Sequence, residues 1–127
     1  MTRRNKIIYW VATLWLSLGM TVTGVVQVIH QKEEVDRMNH LGYPLYFVTL
    51  LGMWKLVGVV AVLMPKFPLV KEWAYAGFFF AMTGAVVSHA AMGDEAQEFF
   101  GPSLLILLTV VSWYFRPADR RLISAAQ

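Results

Sequence analysis

Four long apolar runs alternate with short polar segments along the chain: Ile7–Ile29, Leu45–Met64, Trp73–Met92 and Phe99–Phe115. The first three reach or approach the roughly 20 residues that a helix needs to cross about 30 Å of hydrocarbon. The fourth is shorter and carries Gly101 and Pro102 near its start, where proline is accommodated because first-turn amides lack helical partners. The pattern predicts an all-α membrane protein, a four-transmembrane-helix bundle, with residues 1–127 as a single membrane domain. Pro65-Lys66-Phe67-Pro68 is the clearest turn between spans. The longest connector, Gln31–Pro44, carries Val35, Met38 and Leu41 at helical spacing. It reads either as a short amphipathic helix on the membrane surface within 31–42 or as a solvated loop.

Composition agrees with this class. The chain is 57% hydrophobic and 15% charged, with a mean hydropathy of +0.53, whereas soluble domains carry about 25% charged residues. The basic opening "MTRRNK" precedes the first run as in a secretory signal, but the run is too long and no small-x-small cleavage site follows. A retained helix is expected. There is no cysteine, so disulfide exchange and thiolate metal sites are excluded, and any redox role falls to a bound molecule or a partner.

The net charge of +3 sits at the edges of the apolar runs, where cations orient helices instead of meeting nucleic acid. Arg3, Arg4, Lys6, Lys66, Lys71, Arg116, Arg120 and Arg121 fall on one side of the expected topology, against Lys32 and Arg37 on the other. That bias predicts a multi-pass protein of the cell membrane with both termini cytoplasmic. Glu33, Glu34, Asp36, Asp94, Glu95 and Glu98 then lie outside.

Lys55 stands near the middle of the apolar run Thr49–Pro65. A charge at that depth is costly and usually faces the bundle interior or a watery cavity. Gly52 and Gly58, three residues before and after, share its face, and small residues let helix backbones approach. Ser17, Thr21 and Gly24 on the first span, and Gly77, Ala81, Gly84 and Ser88 on the third, form comparable stripes. The blander reading of Lys55 is snorkelling, or a hydrogen bond to backbone carbonyls. Gln27, His30, Ser88, His89 and Glu98 gather at the outer ends of their spans, with His40 in the first outer loop. On the third span Tyr75, Phe78, Met82, Ala85 and His89 fall on about one third of the helix circumference. An aromatic and methionine wall ending in an imidazole suits a flat apolar ligand with an oxygen at one end, such as a quinone. Ordinary helix packing or lipid contact would use the same residues. Tyr9, Trp10, Tyr43, Tyr46, Trp73, Trp113 and Tyr114 sit mostly near span ends, as interfacial anchors do.

No glycine-rich nucleotide loop, nucleophile elbow, His-Glu-x-x-His or Cys-x-x-Cys occurs, so an enzyme acting on its own is not expected. His30, His40 and His89 have no recognised ligand spacing, and no metal site is expected.

The segments "MNHLGYPLYFVTLLGMWKLVGVVAVLMP" (38–65) and "KEWAYAGFFFAMTGAVVSHAAMGD" (71–94) resemble the DoxX-like family of small four-helix membrane proteins. Leu41-Gly42-Tyr43-Pro44, Gly52-x-x-Lys55-x-x-Gly58 with Pro65, Glu72-Trp73-Ala74-Tyr75-Ala76-Gly77, and Ser88-His89 carry the resemblance, which covers about 7–115. It implies a four-helix bundle and, through wider relatives, either quinone-coupled oxidation and oxidative-stress complexes or assembly chaperoning of receptor channels. Lys55, Tyr43, Pro44, Glu72, Tyr75 and His89 fall on family-like motif positions, none with an assigned catalytic role. The paired cysteines of related thiol-redox membrane enzymes are missing. The expectation is a bundle binding a quinone-like or other amphipathic small molecule, with Lys55, His89, Tyr75, Met82, Gln27 and Glu98 as candidate ligand contacts. Lys55 would polarise a ligand oxygen and His89 exchange a proton. The alternative is an assembly chaperone or accessory subunit whose partner is another membrane protein, or a homo-oligomer. In both cases the bilayer is the surrounding solvent.

Overall fold

The computed structural model describes residues 2–120; Arg121, one of the cations counted above, lies outside them. Five helices follow one another: α1 (Arg3–Val28), α2 (Lys32–His40), α3 (Leu45–Leu63), α4 (Pro68–Ala91) and α5 (Phe100–Tyr114). A 3-10 turn at Ala96–Phe99 leads into α5, and another at Ala118–Arg120 follows it. α1, α3, α4 and the continuous stretch Ala96–Tyr114 are each long and apolar enough to cross a membrane.

Local chemistry sets the boundaries. Thr2 caps α1, its hydroxyl accepting from the Asn5 amide at 3.2 Å. Pro44 precedes α3, and α3 stops at Met64, which is extended (ψ 147°) as a residue before proline prefers. Lys66 and Phe67 then take left-handed backbone (φ 69° and 54°) to reverse the chain before Pro68 opens α4. At the far end of α4, Gly93 supplies a positive φ of 68°. There the Asp94 amide donates to the His89 carbonyl and the Gly93 amide to the Ala90 carbonyl, the paired bonds of a Schellman cap.

The spans form a ring in the order α1, α3, α4, α5, each packed on its two neighbours. Two crossings are tight. A Cβ on Gly52 would lie 2.7 Å from the Gly24 carbonyl oxygen, which fixes α1 against α3. A Cβ on Gly58 would lie 2.6 Å from the Phe78 ring, so α4 fills that notch with an aromatic edge. The α4 stripe behaves differently from its expectation as a close-packing face: Gly77 and Gly84 have open space where a Cβ would be.

The two halves of the bundle are packed differently, and the half nearer the chain termini holds the smaller of two cavities, about 320 Å³ beside Glu72, Tyr75, Thr109 and Trp113. Ala12, Leu16, Met20, Val59, Val62, Tyr75, Phe78, Met82 and Leu108 form one buried cluster, and all but the two methionines lie toward the end that carries the chain termini. We call this the basal half. Three of its hydroxyls are joined: the Ser112 hydroxyl meets Thr13 Oγ1 at 2.6 Å and the Tyr75 hydroxyl at 2.8 Å, linking α1, α4 and α5, whereas the buried Tyr9 hydroxyl has no hydrogen bond among the described residues. Lys71 and Arg120 read from sequence as edge cations, yet they are only 1% and 8% exposed. Both cap the C-terminal carbonyls of α3. Lys71 Nζ donates to Ala61 at 2.7 Å and also to Met64, while Arg120 reaches Val62 at 3.0 Å and Leu63 at 3.3 Å. The physical reason is that the proline-terminated helix leaves carbonyls that need donors, and its dipole favours cations there. The Arg120 guanidinium also stacks 4.9 Å over the Trp10 ring. Tyr9, grouped with the interfacial anchors from its position near a span end, is fully buried, whereas Tyr46, Trp73 and Tyr114 are exposed.

Candidate functional site

The other half is hollow. A cavity of about 500 Å³ lies between the spans, roofed by α2 through Glu34, Arg37 and Met38 and by Leu41 just after it. Its floor is set by Lys55 of α3 and Met82 of α4, the latter touching the basal core. Cβ atoms tilt toward a helix N-terminus, and the N-terminus of α3 lies at the roofed end, so the Lys55 side chain rises into the hollow. It is 7% exposed and has no hydrogen bond among the described residues, while Glu34 attracts it through space. This is the reverse of Lys71, whose ammonium is enclosed by carbonyls.

The roof is held by a polar chain. Gln27, almost fully buried on α1, donates through Nε2 to Glu34 Oε1 at 3.1 Å. Arg37 donates to the other Glu34 oxygen at 2.7 Å. Tyr43 and Ser88 share a hydrogen bond between hydroxyls, tying the loop before α3 to α4. Apolar walls come from Phe47, Leu51, Phe80, Ala85 and Leu105. Gly84 borders the cavity, and its missing side chain widens it.

Asp94 organises the end of α4. One carboxylate oxygen accepts from His89 Nδ1 and the other from His40 Nε2, both at 2.7 Å. Those two hydrogen bonds hold the Asp94 carboxyl below its ordinary titration range. Nδ1 of His89 being occupied, its Nε2 has no partner among the described residues, on a ring that lines the cavity. Glu98, half-buried at the mouth, also lines the cavity with no side-chain hydrogen bond among those residues.

Of the candidates read from sequence, Lys55, His89, Met82, Gln27 and Glu98 border this one cavity. Tyr75 does not. It lies 14 residues before His89 on α4, about 21 Å along the axis at 1.5 Å per residue. Its hydroxyl is committed to Ser112 in the basal half. Helical phase placed both residues on one face, but phase carries no depth. Phe78 likewise fills the Gly58 notch. His30 turns away to Thr49 Oγ1 at 2.6 Å. Glu72 sits at the basal end, accepting from Trp113 Nε1 at 2.9 Å and paired with Arg116 at 2.8 Å.

Asp94, Glu34 and Arg37 were missed as site residues. Asp94 had a signal: a histidine in the last turn, a glycine at the cap and an acid immediately after it, which is the spacing that lets the Schellman turn fold the acid back onto the histidine. Glu34 and Arg37 looked like solvated loop charges because the docking of α2 over the bundle is a tertiary event. Among the described residues no three His, Cys, Asp or Glu side chains converge on a point that would hold a metal ion.

A ring of four spanning helices around a roofed, amine-floored cavity defines a multi-pass membrane protein whose outer surface meets lipid. Residues 11–112 match the DoxX-like family, and the chain belongs to it. No curated protein and no solved structure matches the chain.

Proposed function

We propose that the cavity binds a small amphipathic molecule of the quinone or isoprenoid-lipid type. One observation carries the reading: a lysine 7% exposed, with no hydrogen bond among the described residues, projects its amine into about 500 Å³ of apolar-walled space. Leaving such a group unsatisfied in hydrocarbon is unfavourable by several kcal/mol on simple transfer scales (about 2.5–3.5), and a ligand oxygen would relieve that. The volume falls within the usual range for small-molecule sites. Lys55 donates to the ligand oxygen at the floor, the aromatic and methionine walls hold its apolar body, and His89 faces it nearer the mouth. We further propose that the chain resides in the cell membrane with both termini cytoplasmic, since the basal end carries most of the cations.

The test is binding of a ubiquinone analogue with one isoprenoid unit to the protein in nanodiscs, compared with Lys55→Met. Saturable binding weakened about tenfold or more by the substitution, roughly the 1.4 kcal/mol of one charge-assisted hydrogen bond, supports the site. Equal binding by both proteins overturns it. Absence of saturable binding together with a stoichiometric protein partner on native mass spectrometry overturns it in favour of an accessory subunit.

A further inference from the structure

We propose that His89, Asp94 and His40 form a proton conduit between the cavity and the aqueous surface, so that the bound molecule is one whose hydroxyl gains or loses a proton in place. This rests on the cavity reading above and specifies its ligand: a phenol or hydroquinone class, not a purely apolar lipid.

The three side chains are graded in exposure, 6% for His89, 13% for Asp94 and 50% for His40. Two hydrogen bonds of 2.7 Å connect them without a gap. Only His89 borders the cavity, and it does so as the ring whose Nε2 is unpartnered among the described residues. A purely structural latch between α2 and α4 would not need its inner end to open on a cavity. The carboxylate also fixes the tautomer: by accepting from Nδ1 it leaves Nε2 as the proton acceptor. In the outward direction a ligand O–H bond breaks and its proton joins His89 Nε2. The Nδ1 proton then moves to the Asp94 carboxylate, and a half-turn of the carboxyl presents it to His40. That exposed ring exchanges with water to the tautomer bare at Nε2, takes the proton there and releases one from Nδ1. The ligand becomes an oxyanion, with Lys55 as its counter-charge; nothing is oxidised or reduced. Transfer in the opposite direction returns the proton to the oxyanion and resets both rings. The other charged groups at this mouth are Glu34 and Arg37 of α2, which pair with each other, and Glu98 of the 3-10 turn.

An octyl-substituted 4-nitrophenol serves as probe, because its absorbance reports its own protonation while bound in nanodiscs. After a pH jump the bound probe should change protonation state about tenfold or more slowly in Asp94→Asn and His40→Phe than in the parent protein, the size expected for removal of one proton-transfer group. Neither residue borders the cavity, so the amount bound should not change. The Asp94→Asn substitution keeps hydrogen-bonding capacity while losing the ability to carry a proton, and Asp94→Glu should restore the rate. Equal relaxation rates in all proteins, with binding intact, overturn the conduit and leave the cavity reading standing. No saturable probe binding above protein-free nanodiscs overturns the cavity reading, and the conduit with it.

Discussion

The basal and roofed halves of this bundle are built from the same four helices and reach opposite solutions. In the basal half the main contacts close on one another, beside a smaller cavity of about 320 Å³: Phe78 enters the Gly58 notch, Ser112 joins Thr13 and Tyr75, and Lys71 is enclosed by carbonyls. In the roofed half a larger space is left open and Lys55 borders it with no hydrogen bond among the described residues. Two lysines of similar burial therefore do different work. One satisfies the backbone; the other has no hydrogen bond among the described residues and borders the cavity. Protein interiors normally fill such space to crystal-like density, so a half that does not is where binding is to be sought.

The sharpest way to break this contrast is to shrink the large core side chains. Phe78→Ala should lose ~3–5 kcal/mol of stability, since it opens a cavity in packed surroundings. Leu51→Ala, on the wall of an existing hollow, should lose clearly less. Reversible unfolding in mixed micelles measures both, and equal losses would erase the distinction between the halves.

The lysine pair comes next in size. Lys71→Met removes donors from buried carbonyls and should destabilise by about 1–3 kcal/mol. Lys55→Met should leave stability unchanged or raise it, because it removes a buried amine that has no hydrogen bond among the described residues. A Lys55→Met protein as unstable as Lys71→Met would show that Lys55 is a structural cap instead.

The same substitution at two glycines sharpens the comparison further. Gly58→Val collides with the Phe78 ring and should cost ~1–3 kcal/mol as overpacking. Gly84→Val meets open space and should be tolerated, while it narrows the cavity and weakens quinone-analogue binding. Thermal unfolding and binding, read on both proteins, separate the two effects.

The smallest expected effect concerns acid. Asp94 has a folded-state pKa held below its unfolded value, so its contribution is fully present above the unfolded value of about 3.9 and is lost as pH falls through the lower folded value. The stability difference between the parent and Asp94→Asn should therefore shrink as the pH falls below about 4. A difference independent of pH over that interval would mean that the carboxylate is not held by the two histidines. Topology has its own measurement: the chain lacks cysteine, so a lone Glu33→Cys should react with an impermeant maleimide on intact cells and a lone Asn5→Cys only after lysis.

What could be read from the chain alone was one-dimensional: four apolar lengths matched to a bilayer, prolines and glycines that start and stop the helices, and a lysine flanked by Gly52 and Gly58 whose desolvation required an inward face. Hydropathy, helical phase and turn chemistry act over a few residues, so they survive without a fold. Depth and partnership do not. That Tyr75 belongs to the basal network and His89 to the cavity, that Lys71 and Arg120 are caps, that α2 lowers Glu34 and Arg37 over the bundle, and that Asp94 bridges His89 to His40 across 54 residues of sequence from the latter were settled in three dimensions. The reason is that a buried polar group takes whichever partner the packing brings to it, and packing sums over the whole ring of helices at once.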